Sequence, residues 1–255
     1  MKGRCYLLSL EEFLEGADRE RYFREAFEKV DRIRREKVER MQTEKSKAAS
    51  LGAGLLIQFA VQAALQETER EGTRINIEAA RDVLSQGREA AEYELAVYTV
   101  SQVLEQLNET LDLKIYYGGN GKPYLQDYSV YFNLSHSGNY VICAVSPREV
   151  GVDIQEYKKV DMERLARRFF SEEEQTILEG RMDGQEKRKL FYQLWTRKEA
   201  YGKLTGKGIA AVIDKCVLPF KEGEHTVAGD EDNKKLFWQE WKLDGYAITL
   251  CQDGR

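Results

Sequence analysis

The feature that most constrains the fold of this chain is a change in the spacing of its apolar residues. In the first part they recur about every 3.6 residues, as on one face of a helix, at Phe23, Ala26, Phe27, Val30 and Ile33. Residues 130–134, 140–145 and 150–155 instead read as short strands. Helical spacing returns after residue 171. A chain that changes from one period to the other and back predicts an α+β fold.

Local signals predict where several of these elements begin and end. Asp31 is placed to cap a helix, and Ser171 followed by Glu174 forms a capping box that opens another. A long helix is predicted over 186–205, ended by Gly206. We expect a polar loop at 135–139 and an extra helical insertion at about 67–112. Closing antiparallel strands are expected near Val217, Phe237, Trp241 and residues 247–250.

Composition excludes several classes of protein. Lys and Arg number 39 and Asp and Glu 44, a net charge of −5, which argues against a nucleic-acid binder that works through bulk positive charge. The 4 cysteines are scattered without a C-x-x-C pair, which fits no zinc site and indicates a reducing compartment. Residues 51–65 are apolar but too short for a membrane span, so a buried helix is predicted. We therefore expect a cytoplasmic protein.

Two segments carry side chains suited to chemistry. In the strand 150–155 the alternation places Asp153 and Gln155 on one face beside Gly151, which leaves room for a ligand. In the long helix Glu199 and Lys203 are four residues apart and share a stripe. Magnesium takes one or two carboxylates together with phosphate oxygens of a substrate. Asp153 and Glu199 would supply such a site if strand and helix pack together.

Each of these residues also has an ordinary structural interpretation. Glu199 and Lys203 have the spacing of an ion pair on a helix surface. Asp153 fits a residue that makes hydrogen bonds at the end of a strand. His136 fits a turn residue between two serines. Residues 118–123 partly match a phosphate loop, but Pro123 stands where Ser or Thr is required. Taken one at a time, these signals leave the function open.

The order of five motifs is more specific. They are NGKP (120–123), FNLSHS (132–137), GVDIQ (151–155), RFFS (168–171) and LWTRKEAYGK (194–203). Together they resemble the Sfp-type 4′-phosphopantetheinyl transferases, over roughly residues 30–210. The family moves 4′-phosphopantetheine from coenzyme A to a serine of an apo acyl or peptidyl carrier protein and releases adenosine 3′,5′-bisphosphate. The resemblance implies that reaction here, with coenzyme A as co-substrate and Mg²⁺ as cofactor.

The resemblance also implies roles for matching positions. Asp153 and Glu199 would hold Mg²⁺ at the pyrophosphate, with Gln155 at the third ligand position. Glu199 would take the proton of the carrier serine, and Lys203 would neutralise or protonate the leaving phosphate. Contacts to coenzyme A are implied for Arg34, Lys37, Ser50, Lys122, Pro123, Ser135, His136 and Lys203.

Gln155 departs from the family, which has an acid at this position. A neutral amide oxygen is a weaker Mg²⁺ ligand than a carboxylate. Glu156 should face the other side of the strand, so it replaces the missing acid only if the strand bulges. We therefore expect Gln155 to act through a water molecule or to make no contact with the ion.

The family fold implied is a pseudo-two-fold α+β architecture, with two similar halves that each pack a small antiparallel sheet on helices. We expect residues 1–146 to supply coenzyme A contacts, residues 147–255 to supply the metal and catalytic residues, and coenzyme A to bind between them. A monomer is expected, because two halves in one chain replace a subunit interface. Three alternatives stay open: another Mg²⁺-dependent phosphoryl enzyme such as a nuclease, an inactive relative that binds coenzyme A or a carrier, and an interaction module.

Overall fold

The computed structural model describes residues 3–72, 93–107, 109–180, 184–208 and 236–254. The chain divides into two compact units. The first comprises Met1–Lys114, Leu125–Tyr131 and Asn139–Pro147, and the second Ile115–Tyr124, Phe132–Gly138 and Arg148–Arg255. Two segments that precede the predicted boundary at residue 146 thus group with the C-terminal part. As a result, the motifs at 120–123 and 132–137 lie in the same unit as those at 151–155 and 194–203.

The first unit contains a small sheet and several helices. Its strands are β1 (Arg4–Ser9), β2 (Glu94–Tyr98) and β6 (Tyr140–Ser146), and its helices are α1 (Glu11–Leu14), α2 (Arg19–Glu28), α3 (Arg32–Arg40), α4 (Glu44–Gly72) and α5 (Val100–Gln106). Strand β1 lies between β2, to which it is parallel, and β6, to which it is antiparallel. Residues 5–8 are apolar at consecutive positions and all buried, as in a strand with both faces covered.

Helix α4 is the core helix of the first unit. Nearly all of its residues from Ala48 to Ala64 are buried, and it packs on β6 and α3. This confirms the buried helix predicted at 51–65. By length and composition alone residues 44–66 would also pass as a membrane span, yet 83% of the apolar window is buried inside the protein, as in the core of a globular domain.

The second unit contains the other elements of the described ranges, except that Leu125 and Tyr131, each at the end of a strand, belong to the first unit. They are β3 (Ile115–Tyr117), β4 (Pro123–Leu125), β5 (Tyr131–Ser137), β7 (Val150–Glu156), α6 (Met162–Phe169), α7 (Glu172–Glu179), α8 (Gly184–Thr205), β8 (Leu236–Leu243) and β9 (Tyr246–Asp253). Strand β9 pairs antiparallel with β7 on one side and with β8 on the other. Helix α8 packs on β7 and β9, which confirms the predicted α+β class.

The predicted helix ends agree with the structure. The side chain of Asp31 accepts a hydrogen bond from the Arg34 backbone N–H at the start of α3. Ser171 and Glu174 form the capping box that opens α7. Helix α8 ends at Thr205, and Gly206 follows with a φ of +69°, a left-handed conformation that favours glycine.

Three predictions of local structure were wrong or incomplete. Strand β5 continues through Ser137, so only residues 138–139 separate it from β6 and the predicted loop at 135–139 is mostly strand. Ile33 is 80% exposed rather than part of the buried helical face. Within the predicted helical insertion, α4 extends to residue 72, and β2 then interrupts the helical pattern before α5. Residues 73–92 and 108 of that insertion, and Val217 of the predicted closing strands, lie outside the described part of the chain.

Candidate functional site

Asp153 on β7 is the centre of a buried polar network in the second unit. Its side chain is only 2% exposed. Oδ1 accepts hydrogen bonds from Ser135 Oγ at 2.6 Å and from Lys203 Nζ at 2.7 Å. Oδ2 accepts one from Gln155 Nε2 at 3.2 Å. The structure thus brings four of the predicted site residues into direct contact through one carboxylate.

Alternating side chains of β5 hold β7 in place beside them. Asn133 Oδ1 accepts from the Val152 N–H at 2.9 Å, and Ser137 Oγ accepts from the Glu156 N–H at 3.0 Å. Ser135, between them, reaches Asp153. Because successive strand residues point to opposite faces, His136 lies on the other face and is exposed. The predicted Ser135–His136 pair therefore serves two different surfaces.

Helix α8 approaches β7 unusually closely at Gly151. A Cβ atom added there would lie 2.0 Å from the Ala200 carbonyl oxygen and 2.6 Å from the Leu204 nitrogen. The expectation that this glycine makes room for a ligand was wrong, because the helix backbone fills that space. The close approach lets Lys203 Nζ reach both Asp153 and the Val152 carbonyl oxygen, the latter at 3.1 Å.

Three consecutive residues anchor α8 to three other elements immediately before Glu199. The hydroxyl groups of Thr196 and Thr249 on β9 hydrogen bond to each other at 2.7 Å. Arg197 Nε donates to Glu240 Oε1 on β8 at 2.6 Å. The next residue, Lys198, forms an ion pair with the glutamate of the α7 capping box.

The Lys198–Glu174 ion pair is fully buried. Lys198 Nζ lies 2.9 Å from Glu174 Oε2, with side-chain exposures of 0% and 2%. The same Oε2 accepts from the Ser171 N–H at 2.8 Å, whereas Oε1 is buried without a hydrogen-bond partner in the described part of the chain. Breaking such a pair leaves an uncompensated buried charge, so it holds α8 firmly against α7.

Glu199 is electrostatically coupled to this network. Its pKa is raised above the ordinary carboxyl value, first by burial and then by the negative charge of Asp153, while Lys203 acts in the opposite direction. The charges of Asp153 and Lys203 therefore both act on Glu199. This coupling, together with the Asp153–Lys203 contact, supports the predicted convergence of strand and helix.

The donor set fits Mg²⁺ through two carboxylates. Asp153 and Glu199 could supply hard oxygen ligands, and Mg²⁺ usually completes its shell with water and phosphate oxygens. Gln155 presents its amide nitrogen to Asp153, and its Oε1 lies 3.5 Å from Ser137 Oγ, which donates to it. In the described ranges no three or more His, Cys, Asp or Glu side chains cluster as metal ligands. This agrees with the presence of an amide at the position of the third acid.

Lys122 and Pro123 line a cleft of about 270 Å³ that also includes Lys203. Lys122 Nζ donates to the Leu204 carbonyl oxygen at 2.8 Å and pairs with the Glu149 carboxylate. Burial lowers the pKa of Lys122, and the hydrogen bond and charge of Glu149 oppose that shift. Two lysines therefore line the cleft, together with the glycines at positions 121, 202, 206 and 208.

The remaining predicted residues lie in the first unit. Arg34 Nη1 donates to the Ser50 carbonyl oxygen at 3.0 Å, and Gly54 makes room for the Arg34 side chain, since a Cβ there would lie 2.4 Å from Arg34 Cδ. Ser50 Oγ is buried and has no hydrogen-bond partner in the part of the chain that the structure describes. Lys37 is exposed on α3. The structure thus brings Arg34 and Ser50 together, whereas Lys37 stays on the surface.

Sequence reasoning missed several residues that support the site. Glu149, Thr249 and Asn133 are single polar residues whose partners are distant in the chain, so no local pattern marks them. Glu174 was found as part of the capping box, but its contact with Lys198 was not. Lys198 shares a helical stripe with the apolar residues Phe191, Leu194 and Tyr201, which was the available signal, because a buried lysine needs an acidic partner.

Comparison with known proteins gives a consistent result. Residues 149–251 match the 4′-phosphopantetheinyl transferase superfamily. The chain is 39% identical over 137 residues to the 4′-phosphopantetheinyl transferase psf-1 of Bacillus pumilus, and 34% identical over 134 residues to Sfp of Bacillus subtilis strain 168. It is 44% identical over 145 residues to the putative 4′-phosphopantetheinyl transferase slr0495 of Synechocystis. These matches cover 52, 51 and 55% of this chain and span 58, 59 and 57% of the relatives' lengths.

Proposed function

We propose that this chain, which is similar to the Sfp-type 4′-phosphopantetheinyl transferases, transfers 4′-phosphopantetheine from coenzyme A to a serine of an apo carrier protein. The observation that carries the proposal lies within the matched segment 149–251. There Lys203 forms an ion pair with Asp153, and the charges of both residues shift the pKa of Glu199. The serine oxygen forms a bond to the phosphorus that bears pantetheine. The pyrophosphate P–O bond breaks, and adenosine 3′,5′-bisphosphate leaves.

Glu199 is the proposed base for the serine proton. Its raised pKa makes it a stronger base than an ordinary glutamate, while it stays ionised at pH values above that pKa. Its position on α8 is supported by the anchors at Thr196, Arg197 and Lys198, which leave the helix little freedom to rotate. A fixed base reduces the cost of orienting the reacting groups.

Lys203 and Lys122 are proposed to bind the phosphate and nucleotide part of coenzyme A. Lys203 contacts Asp153 and also lines the cleft. A small movement of its ammonium group would therefore exchange the Asp153 carboxylate for a substrate phosphate as its ionic partner. Lys122 and Pro123 would contact the nucleotide in the same cleft. Contacts of the 3′-phosphate with Arg34, Lys37, Ser50, Ser135 and His136 stay predictions from the resemblance.

Magnesium is proposed to be held by Asp153 and Glu199. When bound, it would neutralise the pyrophosphate and the charge that develops on the transferring phosphate. Gln155 is bonded to Asp153 and Ser137, which supports an indirect role through water. The protein's proposed contribution is the contact of Lys203 with Asp153, together with the charge of the neighbouring Glu199.

The direct test incubates the full chain with coenzyme A, Mg²⁺ and several apo carrier proteins. Transfer should add about 340 Da to the carrier serine, the mass of the phosphopantetheine group. Glu199→Gln should abolish the mass gain, while Glu186→Gln, on the same helix and exposed, should not. Full transfer by Glu199→Gln would refute the proposed base, and unchanged carrier masses with the unaltered chain would refute the proposed reaction.

A second candidate function is an inactive relative that binds coenzyme A or a carrier without transfer. Gln155 favours it, because the third acid of the metal site is replaced by an amide. Both candidates bind coenzyme A in a calorimetric titration, so the carrier mass separates them: the inactive relative requires coenzyme A binding together with unchanged carrier masses.

We also propose that the protein is a cytoplasmic monomer. The cysteines in the described ranges, Cys5, Cys143 and Cys251, are free and buried, as expected in a reducing compartment. Cell fractionation and light scattering of the purified chain test the two statements. Recovery in the membrane fraction or the mass of a dimer would contradict them.

A further inference from the structure

Asp153 is covered so completely that a metal ion has no open path to it. Its side chain is 2% exposed, and both carboxylate oxygens are occupied by hydrogen-bond donors. An ion that binds Asp153 directly must therefore displace a group that covers it. Ser135 is buried on β5 and Gln155 is neutral, whereas Lys203 carries a charge of the same sign as the ion.

Lys203 is also the covering group best able to move. It lies in the last turn of α8, its side chain is 26% exposed, and its stem has four methylene groups. Two cations at the same carboxylate oxygen repel each other strongly in a partly buried site. The ammonium group and a divalent ion therefore compete for Asp153.

We infer that Lys203 occupies the cation position of the Asp153–Glu199 pair in the metal-free protein, and that metal binding releases its ammonium group from Asp153. The released group then stands at the cleft it already lines, where a substrate phosphate would bind. Metal binding and placement of the catalytic lysine become one coupled event. The inference rests on the proposed function for the identity of the ion and of the phosphate.

The first test measures metal affinity without coenzyme A or carrier. Mn²⁺ is titrated and the free ion is followed by electron paramagnetic resonance. Lys203→Met should bind Mn²⁺ about tenfold more tightly than the unaltered chain, because the ion no longer has to break one charge-assisted hydrogen bond to reach Asp153. Lys207→Met removes an exposed lysine four residues away and controls for net charge; its affinity should stay within about twofold of the unaltered chain.

The second test follows Lys203 in the unaltered chain, so it does not depend on how a variant folds. Isotope-coded acetylation with mass spectrometry compares the reactivity of each lysine with and without saturating Mg²⁺. Lys203 should react several-fold faster with Mg²⁺, whereas Lys207 should not change. In Asp153→Asn, which lacks the ion pair, Lys203 should react rapidly under both conditions.

The inference fails if Lys203→Met binds Mn²⁺ no more tightly than the unaltered chain, or binds none. It also fails if Mg²⁺ leaves the reactivity of Lys203 unchanged. Neither measurement uses a carrier protein. Loss of transfer activity with both results intact would therefore refute the proposed function and leave the competition between ammonium group and metal ion standing.

Discussion

Gly151→Ala tests whether the close packing of α8 on β7 builds the site. The added Cβ would lie 2.0 Å from the Ala200 oxygen, and real Cβ atoms essentially never come within 3.0 Å of such an atom. The helix must therefore move by about 1 Å, the difference between these two distances. Forced overpacking of this kind costs about 1–3 kcal/mol of stability. A shift of about 1 Å at reacting groups costs on the order of a hundredfold in rate.

The assay combines urea unfolding with the rate of phosphopantetheine transfer. Gly184→Ala, at the first residue of the same helix, is the matched control because no atom lies within 4 Å of the Cβ it adds. The control should keep or slightly raise stability and keep transfer. Gly151→Ala with the stability and rate of the unaltered chain would refute the argument that this glycine sets the position of Lys203.

The other predictions concern single charges in the second unit. Lys198→Met should lower the free energy of unfolding, measured in urea, by about 3–5 kcal/mol, because Glu174 is left charged and buried. The double variant Lys198→Met/Glu174→Gln should lose far less stability than the single variant. A loss in the double variant equal to the sum of the two single losses would contradict the ion pair. Glu199→Gln should be more stable than the unaltered chain at pH 8 and equal to it at acid pH. The raised pKa of Glu199 means that the folded state disfavours the ionised form, so the stability of the unaltered chain falls as pH rises through that pKa. Equal thermal stability of Glu199→Gln and the unaltered chain at pH 8 would contradict this prediction. Gln155→Glu should lower the Mg²⁺ concentration needed for half-maximal transfer, because it adds a carboxylate beside Asp153; an unchanged requirement would show that residue 155 does not face the ion.

Local rules predicted the elements whose signals lie within a few residues. Asp31 and the Ser171–Glu174 capping box identified helix starts because the capped N–H groups are three residues away. Strand β1 was not predicted, because its partners at 94–98 and 140–145 are distant and a short apolar run has no period of its own. Ser135 to Ser137 looked like a loop because their partners on β7 are also distant in sequence.

The candidate site was predicted in its members but not in its contacts. Periodicity placed Asp153 with Gln155 on the strand and Glu199 with Lys203 on the helix, and the resemblance joined the two pairs into one site. No sequence rule states that Lys203 covers Asp153, because that contact depends on how closely α8 approaches Gly151. The prediction that Gly151 leaves room for a ligand was wrong for the same reason. A glycine indicates that some group packs closely against the backbone, but the sequence does not show whether that group is a ligand or another part of the chain.

The central claim is tested most directly by the mass of an apo carrier protein after incubation with this chain, coenzyme A and Mg²⁺. The account predicts a gain of about 340 Da on one serine, with adenosine 3′,5′-bisphosphate released in equal amount. It also predicts no gain when Glu199→Gln replaces the unaltered chain. A carrier that keeps its mass with the unaltered protein, or gains it equally with Glu199→Gln, would contradict the account.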